Sequence, residues 1–116
     1  MTYAHNVLRL SSTYIRREIK QMKIAVTYDA GQIFQHFGHC SQFKMYEVEN
    51  GTVVATKVVD TNGSGHGALA TFLFANGVDT LICGGIGGGA QAALAQNGIR
   101  LFGGVHGDAD EAVNAL

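Results

Sequence analysis

Two stretches in the second half of the chain repeat one pattern, and that repetition fixes most of what the chain can become. The first starts at Gly67 with Leu69, Phe72 and Leu73 at helical spacing and closes on Asn76-Gly77. It then continues through Val78-Asp79-Thr80-Leu81-Ile82-Cys83 to Gly84-Gly85. The second places Ala90, Ala93 and Leu94 at helical spacing, closes on Asn97-Gly98, and continues through Ile99-Arg100-Leu101-Phe102 to Gly103-Gly104. An Asn-Gly pair after a helical stretch predicts a left-handed C-cap, because glycine reaches positive φ without a Cβ clash. Each unit therefore reads helix, cap, strand, glycine turn. A strand–helix–strand crossover within one sheet is right-handed and gives parallel strands, so the two strands are expected side by side.

The first half supplies the rest of the sheet. Lys23-Ile24-Ala25-Val26-Thr27-Tyr28 reads as a buried strand ended by Asp29-Ala30-Gly31. Residues 43–49 and 52–60 are two further strands joined by Asn50-Gly51, a strong short-range hairpin signal. At the end of the chain Asp108 is expected to cap a last helix, with Glu111 in capping-box position and Ala109, Ala112, Val113 and Leu116 facing inward. The order predicts an α/β fold: a three-layer α/β/α sandwich around a five-stranded mixed sheet, parallel except for one antiparallel hairpin strand.

Composition narrows the class further. Sixteen of the 116 residues are glycine and none is proline, while 47% are hydrophobic and 15% charged. Those proportions describe a globular domain and exclude a disordered tail, and glycines without a three-residue period or prolines exclude collagen. No apolar run is long enough to span a bilayer and no signal-peptide pattern is present, so a cytosolic protein is expected, with no membrane partner. In that compartment Cys40 and Cys83 are free thiols or ligands rather than a disulfide. A net charge of −1 argues against nucleic acid as a partner.

The net charge hides an asymmetry. In residues 1–21 Arg9, Arg16, Arg17 and Lys20 face only Glu18, whereas residues 22–116 carry the acidic excess and every glycine. Residues 1–21 are accordingly expected to be an N-terminal extension, and residues 22–116 a single α/β domain. The extension reads as an organellar transit segment, as a short amphipathic helix over residues 12–21 with Tyr14, Ile15 and Ile19 on one side, or, the preferred reading, as translated from a start upstream of Met22.

Chemistry concentrates in two places. The loop Gln35-His36-Phe37-Gly38-His39-Cys40 gathers two imidazoles and a thiol within five positions. Soft thiolate with imidazole suits copper, zinc or sulfur-bridged iron and molybdenum, and not magnesium or calcium. Three ligands from one loop do not close a four-ligand zinc site, and His66 and His106 are expected at neighbouring loops of the same sheet edge. The metal candidates are therefore His36, Cys40, His66 and His106. Each histidine alone also fits a plain polar loop position.

The second place is Gly84-Gly85-Ile86-Gly87-Gly88-Gly89, where a strand ends and a helix begins. Free N–H groups at a helix start, with no side chains in the way, can hold an anion supported by the helix dipole. The same glycines would also allow close packing in a tight turn. As a nucleotide fingerprint the run is weak, since no Lys-Ser or Lys-Thr follows. Nucleophilic catalysis by Cys40 beside His39 lacks an orienting third group. A metal-dependent nuclease would need convergent carboxylates, and only Asp29 is well placed. No enzymatic activity is expected.

Three segments carry a family resemblance: Met22-Lys23-Ile24-Ala25-Val26; His36-Phe37-Gly38-His39-Cys40 with Phe43-Lys44-Met45-Tyr46-Glu47-Val48; and Leu81-Ile82-Cys83-Gly84-Gly85-Ile86-Gly87. Over residues 22–116 the chain resembles the dinitrogenase iron–molybdenum cofactor biosynthesis family of the NifX and NafY type. The resemblance implies a ribonuclease-H-like three-layer fold and a non-catalytic carrier or chaperone. Its expected cargo is a preformed anionic metal–sulfur cluster of iron–molybdenum or related type, bound in a cleft at the strand ends. It makes His36 the first candidate for contacting the cluster, and the cofactor-binding set becomes His36, Gly38, His39, Cys40, Gly84, Gly85, Gly87 and Gly88. A protein that donates or accepts the cluster is the implied partner. Many family members continue past the last helix, and residues 1–21 have no counterpart in the family pattern. The alternative reading is a regulatory module that binds a small anion or nucleotide at residues 84–89, and a third is a simple interaction domain.

Overall fold

The structure, a computed structural model, describes residues 21–61 and 66–116. The proposed extension, including the helix expected over residues 12–21, lies outside the described residues except for Gln21. The strands are β1 (Gln21–Asp29), β2 (Gln32–Ile33), β3 (Gln42–Glu49), β4 (Thr52–Asp60), β5 (Thr80–Ile82) and β6 (Arg100–Phe102). The helices are α1 (His66–Ala75), α2 (Gly88–Gln96) and α3 (Ala109–Asn114), and a 3-10 turn spans Phe37–His39. The sheet runs β4-β3-β1-β5-β6, with β2 paired to β1 outside that path.

Among the described residues the mixed sheet therefore has six strands rather than five. The additional strand, β2, is two residues long and pairs antiparallel with the end of β1 across Ala30-Gly31. Both turn residues have positive φ, 48° and 90°, the geometry of a two-residue hairpin whose twist matches its strands. Asn50 and Gly51, at 51° and 80°, make the same kind of turn between β3 and β4, where the sequence placed it. β3 runs antiparallel to β1, while β5 and β6 are parallel neighbours, with Leu81 opposite Leu101.

The two repeats fold to one geometry. Gly77 and Gly98 are left-handed, at φ 75° and 70°, and each donates to the third carbonyl before it, of Phe74 and of Ala95. Val78 donates to Leu73 and Ile99 to Leu94, completing matching Schellman motifs. The caps are reinforced in the same way, since Asn76 Nδ2 donates to the Phe72 carbonyl and Asn97 Nδ2 to the Ala93 carbonyl, both at 2.8 Å.

Strand alternation splits the core into two layers. Ala25, Phe43, Met45 and Leu81 pack under α1 and α2 with Leu69, Leu73 and Leu94. Ile24, Val26, Tyr46, Val48 and Ile82 face the other way, onto Ala109 and Val113 of α3. Asp108 caps α3 by accepting the Glu111 N–H at 2.9 Å. Leu116 was expected to face inward, but it is 52% exposed, because α3 ends at Asn114 and the chain leaves the helix before reaching it. No helix among the described residues is long and apolar enough to cross a membrane.

A polar clasp fastens α3 to the sheet. The Tyr46 hydroxyl and the Lys44 ammonium donate to the same Asp110 oxygen, at 2.6 and 2.8 Å. Those bonds, Lys44 first and Tyr46 second, hold the Asp110 carboxyl below its ordinary range, and burial followed by Asp110 pushes the Tyr46 hydroxyl up. A carboxyl whose folded pKa lies below its unfolded one stabilises the fold above the unfolded value, and the gain fades as pH falls through the folded value. The Asp110 side chain is 60% exposed, so water screens most of the interaction. Acidification from about pH 6 to about pH 2 is expected to cost the wild type about 0.5 kcal/mol more than Asp110→Asn. Urea unfolding at both pH values checks this, and equal losses would remove the clasp from the acid response.

Candidate functional site

Three loops meet beyond the carboxyl ends of the parallel neighbours β5 and β6, the place where open α/β sheets form crevices. The chain after β2 passes through Phe34, Gln35 and His36 into the 3-10 turn. The chain after β5 carries Cys83 to Gly87, and the chain after β6 carries Gly103 to Gly107. Main-chain bonds stitch them together. Gly85 N donates to the Gln35 carbonyl at 2.6 Å and Phe37 N to the Gly85 carbonyl at 3.0 Å, so that His36 bridges to Gly85. Gly104 N donates to Gly84 O and Val105 N to Cys83 O, while Ile33 N donates to Gly107 O. The loop positions of His36, the glycine turn and His106 thus share one edge, and the side chains of His36, His39 and His106 are exposed.

The 3-10 turn explains how the His-Phe-Gly loop sorts its side chains. Residues three apart eclipse in this geometry. Phe37 and Cys40 share the inner side, where Phe37 is 1% exposed and packs on Phe43 with ring centroids 6.2 Å apart. His36 and His39 share the outer side, their rings 6.5 Å apart edge to face, with Phe34 edge-on to His36 at 6.2 Å. Gly38, inside the turn, is half-buried.

Cys40 does not join the imidazoles. It sits in the core cluster, its thiol donates to the Gln42 carbonyl at 2.7 Å, and burial pushes its pKa up, which favours the neutral form over the thiolate that metals bind. Cys83 is likewise buried at the end of β5, where desolvation and then the nearby Cys40 push it up to about 11. His66 opens α1, and its side chain lies outside the described residues. Among the described residues no three His, Cys, Asp or Glu side chains converge to hold one metal ion.

The glycine run divides into two kinds of position. A Cβ on Gly84 would stand 2.6 Å from the Gln35 Cα, and one on Gly85 would stand 3.1 Å from the Gln35 carbonyl oxygen, so these two permit close approach of the loops. Gly87, Gly88 and Gly89 meet nothing within 4 Å and are exposed. Gly87 is the N-cap of α2, so Gly88 and Gly89 carry first-turn amides that have no intrahelical partner. The close-packing reading of the run holds for Gly84 and Gly85, while Gly87, Gly88 and Gly89 stand outside that packing. Gln35 is a residue that sequence reasoning missed: its Nε2 donates to the Ile33 carbonyl at 2.9 Å and to the Val105 carbonyl at 3.2 Å. Its only sequence signal is an amide side chain beside His36.

Comparison with known proteins finds relatives both in sequence and in structure. The family model described as dinitrogenase iron-molybdenum cofactor matches residues 20–116. The uncharacterized protein MJ0580 of Methanocaldococcus jannaschii is 34% identical over 90 residues, covering 73% of this chain and 76% of that one. The crystal structure of PH0822 superposes with a TM-score of 0.77 at 26% identity, covering 81% of this chain and 87% of the other. The apo form of the orange protein from Desulfovibrio gigas superposes at 0.69 with 28% identity, covering 81% and 85%.

Proposed function

The chain belongs to the dinitrogenase iron–molybdenum cofactor family, and from that premise we propose that it is a non-catalytic carrier for a preformed, anionic metal–sulfur cluster. The observation that carries this reading is the sheet edge that the loops share: exposed His36, His39 and His106 on loops joined by main-chain bonds to the glycine turn, whose Gly87, Gly88 and Gly89 are exposed. Imidazole is a ligand for the metals of such clusters, and amides at a helix start suit anionic sulfide. His36 is the first contact, with the amides of Gly87, Gly88 and Gly89 on the adjoining glycine turn, since the Gly85 amide is already bonded to the Gln35 carbonyl. Cys40 stays in the ligand set only for a state in which the 3-10 turn opens, since its thiol here faces the core.

The solved relative adds support on its own account. That structure is of the apo form of a protein called the orange protein, and metal–sulfur charge transfer absorbs in the visible. Under the same reading residues 22–116 form the cargo-binding domain in a ribonuclease-H-like arrangement, residues 1–21 are an extension, and the protein works in the cytoplasm between a cluster donor and an acceptor.

Anaerobic reconstitution with ferrous iron, molybdate, copper and sulfide tests the reading through metal content and visible absorption. The wild type is expected to take up a coloured cluster, and His36→Ala to bind it about ten- to hundredfold more weakly. His36 is exposed, so the unfolding free energy should stay within about 0.5 kcal/mol. A colourless, metal-free wild type sinks the carrier, and equal uptake by His36→Ala sinks the assignment of His36.

A further inference from the structure

We infer that Gln35 is a positioning residue of this edge, whose main-chain carbonyl holds the turn after β5 and whose side-chain amide holds the loop after β6, so that together they fix where His36 and His106 stand relative to the glycine turn. The inference rests on the carrier reading for what the crevice holds. Its geometry stands on three sets of contacts made by one residue. The Gln35 carbonyl accepts the Gly85 N–H at 2.6 Å, which ties the first loop to the turn after β5. Its Nε2 donates to the Val105 carbonyl at 3.2 Å, which ties the first loop to the one after β6, and to the Ile33 carbonyl at 2.9 Å, which holds the side chain in that pose. The space that admits it exists because Gly84 has no side chain: a Cβ there would stand 2.7 Å from Gln35 Oε1 and 2.8 Å from its Cδ.

The chemistry asks for a primary amide. Two carbonyls from different segments converge on one nitrogen, and only a group with two N–H bonds on that atom satisfies both. Glutamate has the same length but no donor, and methionine has the length with neither donor nor charge. Both candidate imidazoles stand one residue from a tie. His36 follows Gln35, and His106 follows Val105 and precedes Gly107, whose carbonyl accepts from Ile33 N. Gln35 is exposed, so water can take over the freed carbonyls when its side chain is replaced. Stability should therefore change little while the relative placement of the loops is lost, and a binding site misplaced in this way loses affinity.

Gln35→Met and Gln35→Glu in the full chain test this, with two readouts beside the melting temperature. In the unloaded protein, the NMR signals of the Val105, His106 and Gly107 amides and of the His106 imidazole are expected to shift in both variants. The Gly85 amide, bonded to the main chain of Gln35, should stay protected from exchange. With tetrathiomolybdate as a stable, coloured molybdenum–sulfide anion, titration followed by visible absorption is expected to show about ten- to hundredfold weaker binding in both variants. A merely structural role would lower the melting temperature and leave affinity well below the transition unchanged. Variants that bind the probe as tightly as the wild type overturn the inference. If the wild type itself does not bind the probe, the carrier reading fails separately, and the unloaded spectra decide the role of Gln35: unmoved Val105 and His106 signals overturn it.

Discussion

Phe37→Ala is expected to lower the stability of the chain by about 3–5 kcal/mol, the range for deleting a fully buried aromatic side chain. Phe37 packs against Phe43, whose ring stacks on Phe72 of α1 at 6.2 Å, so its removal opens a cavity under the helix as well as under the loop. A domain of this kind has about 5–15 kcal/mol in all, so the loss is a large share of the total. The loss also reaches the site, because Phe37 is what pins the 3-10 turn with His36 and His39 on its outer side. Urea unfolding measures the first effect and cluster uptake the second. Phe37→Leu, which refills most of the volume, should recover part of both. A cost under about 1 kcal/mol for Phe37→Ala would mean that the turn is held by something else.

Gly84→Ala is expected to cost about 1–3 kcal/mol, the penalty for forcing atoms into filled space. The nearest obstacle is the Gln35 Cα at 2.6 Å, a main-chain atom that cannot rotate aside. Relief requires the loop carrying His36 to move away from the glycine turn, which stretches the bond between Gly85 N and Gln35 O. Gly88→Ala is the contrast: its Cβ meets nothing within 4 Å, and alanine suits a helix better than glycine, so stability should hold or rise by up to about 1 kcal/mol. Denaturation of the two variants side by side checks the division of the glycine run into packing and open positions, and equal stabilities would erase it.

What the sequence shows and what it hides follow from the range of the interactions. The left-handed glycines at 77 and 98 are legible because positive φ is a local demand that few residues other than glycine meet. The parallel pairing of β5 and β6 is legible because crossover handedness leaves one arrangement. β2 is not: two residues carry no periodicity, and its existence depends on Ala30 accepting positive φ, which its residue type does not advertise. The approach of Gln35 to Gly84 joins positions far apart in the chain and leaves no pattern in either. Cys40 beside His39 suggests convergence until the 3-10 turn is known, after which neighbours in sequence face opposite sides and residues three apart face together.

The open part of the crevice presents main chain where most binding sites present side chains. Amide groups are the same whichever codon is used, so point mutation has almost no vocabulary with which to retune that floor beyond blocking it. Selectivity among cargoes of similar charge and size then falls to the rim, at positions such as 36, 39 and 106. A lineage could exchange imidazole for other ligands there while the floor stayed unchanged beneath it. Swapping rim residues between relatives should therefore transfer cargo preference, and swapping the glycine turn should transfer only capacity.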